Sequence, residues 1–217
     1  MTIPSEIPAR IARFAPTVRV VHALNAIGFG LLTFTGAAMY GAPGTQWVGR
    51  RDLVRNVHVW VGIFLLLPLI VGLASSSGLR DDFRRLSRWS AEDKRWWFKS
   101  KRTEVRLGKF NPGQKANASF TLAALLALLG TGAIMKWYSP FGDDWRTGAT
   151  FVHDWTALAL GLVVIGHIYM AIRDRSALDG MIRGTVPSEW AATGRPRWYS
   201  EVIQASENDA SDLGDSR

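Results

Sequence analysis

Four stretches of this 217-residue chain contain no Asp, Glu, Lys or Arg: residues 20–49, 56–79, 116–135 and 155–172. They hold 92 residues, so all 44 formally charged side chains sit on the other 125. A bilayer imposes this kind of segregation, because a hydrocarbon core about 30 Å thick needs about 20 apolar residues of helix to cross it. Backbone polar groups have no water to bond in lipid, and these stretches lack the alternation of barrel strands, so helices are the spanning element. The pattern predicts helices over 20–40, 54–77, 116–137 and 149–172. Gly41, Pro43 and Gly44 end the first, and Pro68 kinks the second by removing a backbone donor. Ser139, Pro140 and Gly142 separate the last two.

Other classes are excluded by what the chain lacks. With no cysteine it can form no disulfide, no thiolate-held iron–sulfur cluster and no C-x-x-C-H haem attachment. No phosphate-binding glycine loop of the G-x-x-x-x-G-K-[ST] or G-x-G-x-x-G type is present. The net charge of +8 sits in segments that flank the apolar spans, a placement that suits a membrane surface and not nucleic acid. Arg10, Arg13 and Arg19 before an apolar run resemble a signal peptide, but the run is too long and no A-x-A site follows, so it reads as a retained first span.

The expected fold is therefore an all-α membrane protein, a four-transmembrane-helix bundle. Residues 1–175 form the transmembrane domain with a loop at 80–115, and 176–217 form a C-terminal tail. Lys and Arg number 3 in residues 1–19, 12 in 80–115 and 6 in 173–217, against 5 on the opposite side. The positive-inside rule puts both termini and the loop in the cytoplasm. Phe83, Leu86, Trp89, Trp96, Trp97 and Phe98 among basic residues suit a helix lying at the lipid interface, or else a solvated basic connector. The ten tryptophans, many near span ends, fit an aromatic belt. The acidic, polar tail after Ser200 is expected to be disordered.

The chain has four histidines, His22, His58, His153 and His167, each within or at the mouth of a span. Ionisable groups at membrane depth are costly and usually functional. By distance from the flanking arginines, His22 and His167 lie near the inner face, and His58 and His153 near the outer face. Fourteen residues of helix at about 1.5 Å each separate His153 from His167 by about 21 Å. The accumulated rotation of about 1,400° is about 40° short of four turns, so both point to one side. One helix thus offers an imidazole at each membrane face. His58 completes the outer pair and His22 the inner.

Two neutral imidazoles on opposite sides of an iron porphyrin make a b-type haem without covalent attachment, and bundle cores house such sites. Two haem b groups are the reading the spacing favours. Zinc prefers four close ligands and fits two separated pairs poorly, while a proton relay leaves the pairing unexplained. Gly28, Gly30, Gly36, Gly62, Gly161 and Gly166 either leave room for flat macrocycles or serve ordinary helix packing. At the inner end of the third helix, Asn111, Gly113 and Gln114 offer neutral hydrogen-bonding groups and close backbone approach to a quinone, or else form a Pro-Gly turn and helix cap.

The chain resembles the cytochrome b (gamma) subunits of respiratory, membrane-bound formate dehydrogenases. The likeness rests on the four-histidine layout, on GKFNPGQK at 108–115, on FVHDWTALALGLVVIGHIYMAI at 151–172, on GMIRGTVPSEWA at 180–191 and on PRWY at 196–199. The histidine layout is shared with hydrogenase cytochromes and other small dihaem cytochromes b; GKFNPGQK, GMIRG and PRWY narrow the resemblance. It implies a dihaem cytochrome b of the bacterial cytoplasmic (inner) membrane, with His58 and His153 on the outer haem iron and His22 and His167 on the inner. It implies that electrons leave formate at a molybdenum- or tungsten-pterin catalytic (alpha) subunit and pass through an iron–sulfur (beta) subunit. They then cross the two haems to a quinone, menaquinone or ubiquinone, beside Asn111, Gly113 and Gln114. No formate-oxidising site is expected in this chain. The rival readings are a cytochrome b subunit of another quinone-linked oxidoreductase such as a hydrogenase, a stand-alone dihaem quinone reductase, and a four-span anchor or transporter that binds no haem.

Overall fold

A computed structural model of the chain describes residues 8–40, 49–98, 106–137 and 139–215. Four helical segments are long and apolar enough to cross a membrane. The first is α1, Pro16–Tyr40. The second runs Arg51–Ser75 and is interrupted, as α2 (Arg51–Phe64) and α3 (Leu67–Ser75). After it come α4 (Ser77–Ser87) and α5 (Ala91–Phe98). The third and fourth spans are α6 (Pro112–Lys136) and α7 (Gly142–Arg173). The chain ends in α8 (Arg175–Arg183), α9 (Ser188–Gly194) and α10 (Pro196–Asp215).

The helix ends follow local chemistry. α2 stops at Phe64 and α3 begins with Pro68 in its first turn, the break Pro68 predicts: its ring has no N–H and crowds the carbonyl four residues back. α6 starts at Pro112, four residues before the charge-free stretch, because Asn111 and Gln114 cap it reciprocally. α7 starts at Gly142, whose φ of +76° suits glycine, and Asp143 and Asp144 in its first turn complement the helix dipole. Gly41, Pro43 and Gly44, expected to end the first span, lie outside the described residues.

By packing, the chain forms two compact units that are not contiguous in sequence. The first contains residues 16–80 and 120–170 and holds nearly all of the spans. Its apolar side chains are turned outward: Ile27, Phe34, Leu162, Ile165 and Met170 are more than 60 % exposed. In water such a surface would be an aggregation liability; in lipid it is the expected exterior. Glycines set the close approaches. A Cβ on Gly28 would lie 2.6 Å from Leu65 Cδ1, and one on Gly72 would lie 2.8 Å from Val21 Cγ2.

The second unit contains residues up to 15, 81–119 and 171 onward. Here Arg10–Ala12 (β1) and Thr185–Pro187 (β2) pair antiparallel, Ile11 opposite Val186, a departure from an all-helical chain. Ile11, Val186, Ala191 and Trp198 form its buried core, with Trp190, Tyr199 and Val202 packed against them. The strands can meet because Gly184, at φ +87°, ends α8 in the left-handed conformation and accepts hydrogen bonds from the N–H groups of Arg13 and Phe14. A Cβ on Gly180 would lie 2.9 Å from Val186 Cγ1. The GMIRG segment is thus explained by packing and turn geometry. The tail departs from the expectation of disorder: α10 is helical to Asp215, docked by Trp198, Tyr199 and Val202 and by a 2.8 Å ion pair of Glu201 with Arg85.

Residues 80–115 are likewise no free coil where described, since α4 and α5 are held by buried ions. Lys115 donates to Asp93 and to the Arg88 carbonyl, both at 2.7 Å. Lys109 meets Asp82 at 2.5 Å. Burial pushes the Asp82 carboxyl up and the Lys109 ammonium down in pKa, and their mutual attraction opposes both shifts. Arg13 is only 3 % exposed, and burial together with the charge of Arg195 lowers it to about 10. Its guanidinium and that of Arg195 lie over the Trp190 ring at 4.7 and 5.3 Å, which offsets part of the cost of burying them.

Two outcomes follow. Lys115→Met leaves the buried Asp93 carboxylate without its cation and is expected to cost about 3–5 kcal/mol. Combining it with Asp93→Asn should recover much of that loss, read as the thermal unfolding midpoint of detergent-solubilised protein. Burial alone would raise the Asp93 carboxyl, but hydrogen bonds from Lys115 and Ser90 outweigh it and hold the pKa below 3.8. A depressed carboxylate stabilises the fold above the unfolded pKa, and that contribution disappears as pH falls through the folded value. The stability difference between wild type and Asp93→Asn should therefore shrink below about pH 4.

Candidate functional site

The first unit contains all four histidines. His22 lies on α1, His58 on α2, and His153 and His167 both on α7. Because α7 is unbroken from Gly142 to Arg173, the rise of about 21 Å between its two histidines applies.

The rings meet in two pairs. The centres of His22 and His167 are 6.2 Å apart, and those of His58 and His153 are 6.3 Å apart. A metal–imidazole bond of about 2.0 Å plus about 1.2 Å from ring nitrogen to ring centre, taken twice, gives about 6.4 Å. A direct N–H···N bond of about 2.9 Å would bring the centres to about 5.3 Å. Both pairs therefore stand at the separation that suits one metal ion between two imidazoles. Among the described residues no group of three or more His, Cys, Asp or Glu is placed to hold a metal, which disfavours a four-ligand zinc site. The chemistry of the donor set, two imidazoles per site, fits axial ligation of a haem iron.

The His58–His153 pair has a supporting layer that sequence reasoning missed. Thr35 Oγ1 on α1 is 2.9 Å from His58 Nδ1, and Thr131 Oγ1 on α6 is 3.0 Å from His153 Nδ1. Each threonine is followed by a glycine facing the same ring: a Cβ on Gly36 would lie 3.4 Å from His58 Cε1, and one on Gly132 would lie 3.5 Å from His153 Cε1. The signal was present as a repeat. T-G-A-x-M occurs at 35–39 and again at 131–135, and a histidine follows each threonine by 23 and 22 residues. Next to His153, Asp154 accepts a 2.8 Å hydrogen bond from the Tyr40 hydroxyl. Of the other glycines proposed to make room, Gly62 meets only Leu32 Cδ2, at 3.8 Å, and Gly30, Gly161 and Gly166 have no neighbour within 4 Å of a Cβ.

In the second unit, Asn111 and Gln114 form a capping box. The Asn111 N–H donates to Gln114 Oε1 at 2.9 Å, and the Gln114 N–H donates to Asn111 Oδ1 at 2.8 Å. The cap engages both side-chain oxygens and leaves the two NH₂ groups outside it. Gly113 sits under this box, where a Cβ would lie 3.3 Å from Asn111 Oδ1. A cavity of about 180 Å³ adjoins the same segment, lined by Arg85, Arg88, Trp89, Lys109, Phe110 and Lys115 among others. Asn111, Gly113 and Gln114 are not part of that lining.

Comparison with known proteins bears on these pairs. Prokaryotic cytochrome b561 matches the chain over residues 13–184, a span that includes every histidine. The chain belongs to the prokaryotic cytochrome b561 family. It is an integral membrane protein, with four candidate spans among the described residues, and its family implies haem b as the cofactor. It is similar to the formate dehydrogenase cytochrome b556(fdo) subunit of Escherichia coli (strain K12), at 28 % identity over 92 % of this chain and 97 % of that one. The formate dehydrogenase cytochrome b556 subunit of Haemophilus influenzae is 28 % identical over 89 % of this chain and 84 % of its own length. The nitrate-inducible cytochrome b556(Fdn) subunit of Escherichia coli is 25 % identical over 90 % of this chain and 93 % of that one.

Proposed function

We propose that this chain is the dihaem cytochrome b subunit that anchors a formate dehydrogenase complex in the bacterial inner membrane and links it to the quinone pool. Both termini and the loop at 80–115 face the cytoplasm. The observation that carries the reading is the pair of imidazole couples, each at one metal's separation, with one member of each on the same continuous helix. The assignment to formate dehydrogenase is supported by the names of relatives aligned over most of both chains.

Haem b, when bound, supplies reversible one-electron transfer. His58 and His153 would hold the outer group, and His22 and His167 the inner. Each contributes a neutral nitrogen donor, so the sites add no charge of their own to an apolar bundle. α7 holds one ligand of each couple at a separation its own rise sets. A molybdenum- or tungsten-containing catalytic subunit and an iron–sulfur subunit would supply the electrons, as the resemblance to formate dehydrogenase subunits implies. On the inner side, the NH₂ groups of Asn111 and Gln114 are suited to donate to a quinone carbonyl, menaquinone or ubiquinone, and the reciprocal cap fixes their direction. Gly113 permits close approach of the ring to the backbone.

The purified wild-type chain is expected to carry two haem b groups and to copurify with a formate-oxidising catalytic subunit and an iron–sulfur subunit. His58→Ala or His153→Ala should each remove the outer haem, and His22→Ala or His167→Ala the inner, counted as pyridine haemochrome per chain. Retention of both haems in any one variant defeats that ligand. Asn111→Ala and Gln114→Ala should slow quinone reduction while both haems still reduce with formate; unchanged quinone turnover removes the loop from the site.

A further inference from the structure

The two threonines behind the outer histidines carry an inference that rests on the haem reading above. A threonine hydroxyl has one proton to give and two lone pairs to accept with. Thr35 Oγ1 lies 2.7 Å from the Leu31 carbonyl and 3.2 Å from the Leu32 carbonyl. Carbonyl oxygens only accept, so the hydroxyl proton is spent on the helix's own backbone. With that proton given to the backbone, the oxygen keeps a lone pair for the third contact, 2.9 Å to His58 Nδ1, and a ring protonated on Nδ1 would donate to it. Thr131 repeats the arrangement: 2.7 Å to the Ala127 carbonyl, 3.2 Å to the Leu128 carbonyl and 3.0 Å to His153 Nδ1. The Nδ1-protonated tautomer satisfies both threonine contacts and leaves the Nε2 lone pair for a metal.

Two independent helices, α1 and α6, thus deliver the same element to the two members of one couple. Among the described residues, neither His22 nor His167 has a side-chain hydrogen bond of this kind. The outer and inner sites share a donor set and differ in this supporting layer. A hydrogen bond accepted from the far nitrogen of a ligating imidazole fixes its tautomer and ring orientation and makes it a stronger donor. A stronger donor favours oxidised over reduced iron, which lowers the potential of that haem. We infer that Thr35 and Thr131 are positioning residues that lock His58 and His153 in the Nδ1-protonated, Nε2-ligating form and hold the outer haem at a lower potential than the ligands alone would set.

The test is a redox titration of the detergent-solubilised complex, with the outer haem identified as the one missing in His58→Ala. Thr35→Val and Thr131→Val remove the oxygen while keeping the side chain's shape. Each should raise the outer-haem midpoint and leave the inner one unchanged, and the double variant should raise it further or lose the outer haem. Thr35→Ser and Thr131→Ser keep the oxygen and should return the midpoint and the haem to wild-type values. The inference is overturned if the valine variants leave the outer midpoint unchanged, lower it, or shift both haems equally. It is also overturned if serine fails to rescue, since that outcome assigns the threonines to packing alone. Wild-type protein without haem would instead defeat the underlying reading, and two intact haems with unmoved potentials would defeat only this one.

Discussion

An imidazole inside a bilayer has two ring nitrogens and no water to satisfy them, and much of the membrane unit depends on how each is partnered. One nitrogen of His58 and one of His153 are taken by threonines on neighbouring helices. The remaining nitrogens belong to couples whose ring centres are 6.2 and 6.3 Å apart, too far for a mutual hydrogen bond and suited to a shared metal. These contacts tie α1 to α2, α6 to α7, α2 to α7 and α1 to α7. Tyr40 and Asp154 add a further link between α1 and α7, and many of the bundle's apolar residues face outward. Lipid contributes no drive between helices comparable to that of water, so such specific contacts and close glycine approaches give the helices their register.

The unit outside the spans is stabilised by a different balance. Its core is small, built on Ile11, Val186, Ala191 and Trp198, and it is supplemented by buried ion pairs and by arginines stacked on Trp190. Buried pairs of this kind contribute little net stability against an apolar alternative, yet breaking one is costly because a lone charge remains. The lysines of the GKFNPGQK segment act in this way: Lys109 and Lys115 hold α4 and α5 through Asp82 and Asp93. The asparagine and glutamine of the same segment start α6. A motif that reads as a ligand loop is therefore a structural hub first, and any quinone contact it makes is built on groups the cap has already oriented.

Much of this was legible from residue order alone, and the rest was not, for identifiable reasons. The spans were visible because lipid excludes charge over about 20 residues at a time, and the break near Pro68 because a missing donor acts locally. The pairing of His58 with His153 and of His22 with His167 followed from helix rise and the flanking arginines. Thr35 and Thr131 were not singled out, because a threonine in an apolar helix ordinarily bonds its own preceding turn, as both also do here. Only the repeated T-G-A-x-M pattern set them apart. The β1–β2 pairing joins residues 175 positions apart, a separation no local pattern reveals. The helix after Ser200 was missed because its composition is polar, while three residues near its start, Trp198, Tyr199 and Val202, supply the apolar contacts that dock it.

Residue order by itself determined which segments are apolar enough to enter the membrane, which flanking segments are basic, and where along its helix each imidazole lies. These are one-dimensional consequences of charge exclusion and of a fixed rise per residue. Tertiary structure alone decided which hydroxyl meets which ring nitrogen. It also decided which lysine is buried against which carboxylate. Those outcomes depend on the rotation and approach of separate helices to within a few tenths of an ångström, and periodicity along one chain carries no information about that distance.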